Sequence, residues 1–190
     1  MKVSKVNHYN QEYNCGIGKA KVNLYTGSLL FEYPLMAIGA NNFLVSTNLL
    51  FSSEYKSTDF NGKKIGLGNG WKLDLHQYVF PYLQSYNIDG FNVGNYVYID
   101  GSFNIHKFVQ YKSISSNDEV TNVYYDNSGT GLKLIVKNNT DIKIVDQYNN
   151  SYIFDEEGKM IEIISSINEN IKKKIVYRND KILSVYDTIP

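Results

Sequence analysis

The chain has one cysteine, Cys15, and one arginine, Arg178, in 190 residues, and its net charge is zero. A lone cysteine excludes an internal disulfide and a cysteine-built metal site. A single arginine on a neutral chain argues against DNA or RNA as a partner, because such proteins neutralise phosphates with a basic face and read bases with arginine. No apolar run approaches the roughly 18 residues of a membrane span. The start, Met1-Lys-Val-Ser-Lys-Val-Asn-His-Tyr-Asn10, carries no apolar core of a signal peptide. The chain therefore reads as an excised piece, or as one whose export signal lies elsewhere.

What is abundant points to strands. Hydrophobic residues make up 43% and charged residues 20%, which is globular composition. At this length roughly 70% of the unfolded surface can be buried without staples. Aromatics reach 14%, mostly tyrosine, and with isoleucine and valine they favour pleated, half-buried surfaces. Strict alternation in Trp71-Lys-Leu-Asp-Leu-His76 puts Trp71, Leu73 and Leu75 on one strand face and Lys72, Asp74 and His76 on a solvated one. Val22 to Leu24 and Leu29 to Tyr33 flank a hairpin turn at Tyr25-Thr-Gly-Ser28. Further runs follow at Phe43 to Phe51, Asn95 to Asp100, Phe103 to Val109, Leu132 to Val136 and Ile142 to Val145. Turn pairs such as Asp100-Gly101, Ser128-Gly129, Asn138-Asn139 and Glu157-Gly158 separate them. The fold class is all-β and mainly antiparallel, built from successive hairpins.

One segment carries a competing signal. Met160, Ile164, Ile167 and Ile171 recur at helical steps, but β-branched isoleucines and the helix-poor Ser165-Ser-Ile-Asn168 favour strand, turn, strand. Lys159 to Ile164 aligns with Lys181 to Tyr186. Ile161, Ile163, Leu183 and Val185 then face inward, Glu162 and Ser184 outward, and the second turn is one residue shorter. A lone hairpin of this kind is marginal, so it needs neighbours on both sides. An exposed edge is expected near Tyr177 to Asp187, where self-association can start.

These residues resemble a family. Val22-Asn-Leu-Tyr-Thr-Gly-Ser-Leu29, the run Phe43 to Tyr55, Gly66-Leu-Gly-Asn-Gly-Trp-Lys-Leu73 and Tyr98-Ile-Asp-Gly-Ser-Phe103 are similar, in that order, to the N-terminal module of rearrangement-hotspot (RHS) or tyrosine-aspartate (YD) repeat proteins. Tyr152 to Ile163 resembles the repeat itself, and Tyr177 to Asp187 does so more loosely. The chain departs from the pattern at Phe154, in place of a tyrosine, and at Arg178, in place of an aspartate. The resemblance implies a ribbon of antiparallel sheet wound into a hollow shell, either enclosing a C-terminal effector or serving as the body of a surface protein. It divides the chain into an N-terminal segment at 1–20, a β module at 21–150 and the first hairpin repeats at 151–190. It implies a secreted or bacterial cell-surface location within a larger protein, a non-enzymatic role, and partners in the rest of the shell and an encapsulated effector.

Candidate sites are few. Gly16-Ile-Gly-Lys19 and Gly66 to Gly70 look like phosphate loops, but such loops open a helix, and the second one opens a strand. Its glycines are expected to supply positive φ or close approach beside Trp71. His76 oriented by Asp74 lacks a marked nucleophile. Scattered His8, His76 and His106 make no metal site, and Asp155, Glu156 and Glu157 lack the ligand spacing of a calcium loop. Glu32, Glu54, Asp59 and Asp74 could pair as hydrolytic carboxylates only by geometry. Lys172, Lys173 and Lys174 read as a solvated connection. No cofactor or metal is expected. The alternative role is a carbohydrate-binding module at the cell surface, with Tyr96 and Tyr98 as the candidate ligand-facing residues and a glycan as the partner.

Overall fold

The computed structural model describes residues 10–38, 45–54, 59–60, 63–64, 66–88, 91–116 and 119–188. Nearly every alternating run is a strand, and no helix occurs among these residues. The chain packs as two units. One is Met1–Ala37 with Val45–Asp74, the other Ile38–Leu44 with Leu75–Pro190.

The first unit holds β1 (Asn10–Cys15), β2 (Gly18–Asn23), β3 (Leu29–Ile38), β4 (Val45–Ser52), β5 (Asp59–Phe60), β6 (Lys63–Lys64) and β7 (Trp71–Leu73). Five of them form a sheet in the order β1-β2-β3-β4-β7, and β5 pairs with β6 alone. The hairpin at 23–28 forms as the sequence indicates. The Asn23 side chain accepts bonds from the amides of Tyr25 and Thr26, and the Gly27 amide donates to the Asn23 carbonyl at 2.7 Å. Trp71 packs between Phe51 and Phe31, with ring centroids 5.0 and 6.5 Å away. The loop before it takes positive φ at Gly66, Gly68 and Gly70. A Cβ on Gly66 would sit 2.6 Å from the Trp71 carbonyl oxygen, so the glycines provide both positive φ and close approach.

The second unit is one ten-stranded sheet: β8 (Tyr78–Ile88), β9 (Phe91–Ile99), β10 (Ile105–Ser116), β11 (Glu119–Asp126), β12 (Lys133–Lys137), β13 (Asp141–Val145), β14 (Ser151–Phe154), β15 (Met160–Ile164), β16 (Lys172–Arg178) and β17 (Lys181–Thr188). Consecutive strands pair in chain order, each antiparallel to the last. The register lines up apolar residues on one face. Leu134, Ile144, Tyr152 and Ile163 form one cross-strand row, and Val136, Ile142, Phe154 and Met160 the next. Most of these side chains are buried, and each full burial of a large aliphatic contributes about 1.5–3 kcal/mol.

The sheet curls into a half-barrel, and its first strand returns to its eighth. The Val79 amide donates to the Gly158 carbonyl at 2.8 Å, the Met160 amide donates to the Gln77 carbonyl at 3.0 Å, and Tyr78 bridges to Lys159. Across the enclosed space the Tyr98 ring meets Phe154 edge-on at 5.9 Å. Tyr78, Val79 and Phe80, and opposite them Val97, Tyr98 and Ile99, are buried at consecutive positions, so both faces of the sheet are covered here.

Turn chemistry sets the hairpins. Asp100–Asn104, Asp146–Asn150 and Asp155–Lys159 are one five-residue device. The fourth residue donates its amide to the aspartate carbonyl, the aspartate amide donates to the fifth carbonyl, and a carboxylate oxygen takes the fifth amide at 2.8–2.9 Å. The fourth position has positive φ and is held by Phe103, Asn149 and Gly158. Gly101, the expected turn glycine, is not at that position. Asn179-Asp180 instead makes a two-residue turn between the paired Arg178 and Lys181, and Asn138-Asn139 begin a three-residue connection between the paired Lys137 and Asp141; φ is positive at both positions in each pair.

Several expectations are corrected. The segment Trp71 to His76 is a strand only to Leu73, and its polar face is not solvated: Lys72 is 1% exposed and His76 0%. The lysine run at 172–174 is part of β16 rather than a connection, with Lys173 buried and ion-paired to Asp187. A bulge between Val176 and Tyr177 leaves Leu183 without a register partner, and it is 62% exposed rather than inward. Ile163 is buried as expected, and residues 160–178 are strand, turn and strand. Val145 pairs with Ser151, so the ten-stranded sheet is continuous through residues 145–151.

Gly158→Ala tests the closure of the barrel. Its φ is +82° and its Cβ would collide with the Val79 carbonyl, whereas Gly129, also at positive φ (+78°), has open space. Gly129→Ala should cost about 1–2 kcal/mol from conformation alone, and Gly158→Ala at least about 2 kcal/mol more. Urea unfolding of both variants gives the comparison, and equal losses would rule out close approach at 158.

Candidate functional site

The richest polar constellation lies in the second unit, at the closed end of the barrel. Asp100 closes β9 and its turn brings the chain back as β10, which places His106 beside it on the interior face. His106 Nε2 lies 3.1 Å from Asp100 Oδ2, and Nδ1 lies 3.7 Å from Asp126 Oδ2, at the end of β11. The imidazole stacks on Tyr98, 5.4 Å away and tilted 27°. The Tyr98 hydroxyl donates to Gln77 Oε1 at 2.5 Å. Gln77 is also the residue whose carbonyl receives the closing bond from Met160.

Both carboxylates are themselves held. Asp100 accepts from the amides of Ser102 and Asn104 and from the Asn104 side chain, each at 2.8 Å. Asp126 Oδ2 accepts from Ser128 Oγ and, at 2.6 Å, from Thr130 Oγ1. Asp146 repeats the Asp100 arrangement, with Asn150 in place of Asn104 and the Tyr152 hydroxyl, at 3.2 Å, in place of the imidazole.

The charges follow from these partners. Burial lowers the proton affinity of His106, but the bond and charge of Asp100, then the charge of Asp126, outweigh it and raise its pKa. Burial pushes Asp100 up, and the bonds from His106 and Asn104 override it and hold the carboxyl low. Asp126 is held low in the same way by Ser128 and Thr130. Burial, then Asp100, Tyr152 and Asp146, push the Tyr98 hydroxyl well up. The result is an imidazole set between two carboxylates that favour its protonated form, with a tyrosine whose hydroxyl is held neutral stacked against it. Both ring nitrogens face carboxylates, so the geometry suits an ion-pair lock joining β9, β10 and β11 better than a base presenting a free nitrogen to a substrate.

The residues singled out from the sequence are dispersed. Tyr98 is 5% exposed and belongs to the lock, while Tyr96 is half-buried, its ring edge-on to Tyr124 at 5.1 Å. Neither forms an outward aromatic row. The exposed pair Tyr111 and Tyr125 meets edge-to-face at 76°, which offers no flat platform. Asp74 accepts from Asn48 at 3.0 Å and Glu54 from Thr26 at 3.2 Å, so these two acids take separate partners. Glu32 lies on β3 opposite Lys19. The side chain of Asp59, and all of His8, lie outside the described residues. His76 sits 6.3 Å from the Tyr177 ring. Asp155 caps its turn, and Glu157 pairs with Lys159. Among the described residues no group of three or more His, Cys, Asp or Glu side chains is arranged to hold a metal ion. No helix there is long and apolar enough to cross a membrane, which leaves strand-built spans unaddressed.

His106 was not legible as a site residue from the sequence, although a signal existed. Aspartate, asparagine four residues on and a polar ring six residues on recur at Asp100, Asn104, His106 and at Asp146, Asn150, Tyr152. Comparison of the chain with family models, curated proteins and solved structures gives no match.

The ion-pair lock has a signed pH dependence. Because the folded pKa of His106 is raised, its contribution is complete below about 6.5 and is lost as pH rises through the folded value. Because Asp100 and Asp126 are lowered, theirs is present above about 3.9 and is lost as pH falls through the folded values. Stability should therefore peak between about pH 4 and 6.5. His106→Gln should cost at least about 1 kcal/mol at pH 5.5 and less at pH 8.5. Urea unfolding at both pH values measures this, and a loss independent of pH would contradict the charged lock.

Proposed function

We propose that the chain is a non-enzymatic structural module that begins the β-shell of a larger secreted or cell-surface protein of the RHS/YD-repeat kind, of the toxin-enclosing or adhesive type. Its work is to start a ribbon of hairpins and template the next one. The reading rests on one observation, the way the last two hairpins interlock. Lys159, just after the first turn, reaches forward to Asp180 in the second turn at 2.6 Å while also holding Glu157 at 2.5 Å. Tyr177, just before the second turn, reaches back and donates its hydroxyl to the Met160 carbonyl at 2.9 Å.

The first hairpin thus supplies one group forward, from just after its turn, and the second supplies one group back, from just before its turn. That is what a unit needs if it is stable only between neighbours. Lys181 follows the second turn as Lys159 follows the first, is exposed, and makes no ion pair among the described residues. β17 is the last strand of the sheet order and pairs with β16. An edge strand with a free lysine and exposed Leu183 and Tyr186 suits receipt of a further hairpin. The partners in this reading are the rest of the shell and an enclosed C-terminal effector. The buried position of Tyr98 leaves the carbohydrate-binding alternative without its expected aromatic row.

The test is to append a further copy of residues 166–188 to the C-terminus. If β17 templates the next unit, β17 amides should exchange with deuterium at least tenfold more slowly in the extended protein, and Lys181→Glu should reverse part of the gain. An appended segment that leaves β17 exchange unchanged would count against the reading.

A further inference from the structure

A second feature of the ten-stranded sheet is independent of the scaffolding reading. A hollow of about 560 Å³ opens beside the turn ends of β12 to β15. Its size is that of a small-ligand pocket. Ile135, Ile153 and Ile161 supply its apolar floor. All three are half-buried; in register, Ile135 lies between the apolar Val123 and Lys143, and Ile153 lies between Lys143 and Glu162. An isoleucine floor among charged neighbours is not what a simple solvated face needs.

The rim carries both signs. Lys137 and Lys143 line the hollow together with Asp141 and Glu156, and none of the four forms an ion pair among the described residues. Opposite charges that share one hollow without neutralising each other can be satisfied by a guest that carries both signs itself.

The guest's chemistry follows by comparison. A sugar that binds by stacking uses an exposed aromatic face, and Phe154, the one aromatic in the lining, is 3% exposed. A fatty-acid anion would suit the isoleucines and lysines but would meet Asp141 and Glu156. A nucleotide phosphate would meet the same acids and find no arginine. A short extended peptide, with aliphatic side chains between a basic and an acidic residue, satisfies the floor and both halves of the rim. We infer that the hollow bounded by Ile135, Ile153 and Ile161 binds such a peptide segment.

The experiment is a methyl NMR titration of the full chain with acetyl-Lys-Ile-Val-Glu-amide. The expected result is saturable shifts of the Ile135, Ile153 and Ile161 methyls, absent with acetyl-Lys-Ser-Ser-Glu-amide. Lys143→Glu, a rim change that spares the floor, should weaken binding at least fivefold, with the amide spectrum showing an intact fold. Ile153→Ser should abolish the shifts. The proposal is overturned if the peptide produces no shifts at millimolar concentration, if the serine peptide produces equal ones, or if octanoate or maltose shifts these methyls more than the peptide does.

Discussion

Two main-chain hydrogen bonds, Val79 to Gly158 and Met160 to Gln77, carry the end of an eight-strand run back to its beginning. Without them β8 to β15 would be an open ribbon with two edges and an interior face open to water. With them, eight strands enclose a space of the size that side chains can fill without leaving a channel. The filling is Tyr98 against Phe154, with Leu134, Ile144 and Met160 fully buried. The closure is also why residue 158 has so little choice. Positive φ alone would admit asparagine, as at Asn149, but the Val79 carbonyl leaves no room for a Cβ.

The closure and the polar lock are one network. Gln77 receives the Met160 amide on its main chain and the Tyr98 hydroxyl on its side chain, and Tyr98 stacks on the imidazole that Asp100 and Asp126 hold. A buried polar cluster is costly unless its members are satisfied. Here Asp100 and Asp126 each receive several donors from their own turns, with Asp126 Oδ1 alone left without one, so the groups that shape these hairpins also hold most of the interior acceptors. β16 and β17 lie past the point of closure. Tyr177, in β16, binds the Met160 carbonyl and packs near His76, which ties the overhanging hairpin to the same seam.

The fold class was legible because the period of two dominates the sequence, and Met160–Ile164 is a strand despite the helical spacing of Met160, Ile164, Ile167 and Ile171. The hairpin positions were legible from their turn residues, including the shorter turn at 179–180. What could not be read was anything set by long-range register. Leu183 alternates correctly with Val185, but it is itself the unpaired residue where the β16–β17 register shifts, and it is exposed. Lys72 and His76 sit on what alternation marks as a polar face, yet both are buried. Phe103 rather than Gly101 takes positive φ, because the aspartate-capped turn places its left-handed residue fourth whatever its identity. His106 gains its two carboxylates from residues 6 before and 20 after it, a meeting that only the pairing of β10 with its neighbours brings about.

The central claim is that the ribbon closes on itself between Gln77–Val79 and Gly158–Met160. Hydrogen exchange at the Val79 and Met160 amides tests it most directly. Closure predicts that both exchange only through global unfolding, with the same free energy as Leu134 or Ile144 in the sheet centre. Exchange of these two amides on the timescale of exposed loops, while Leu134 and Ile144 stay protected, would mean that the barrel is open.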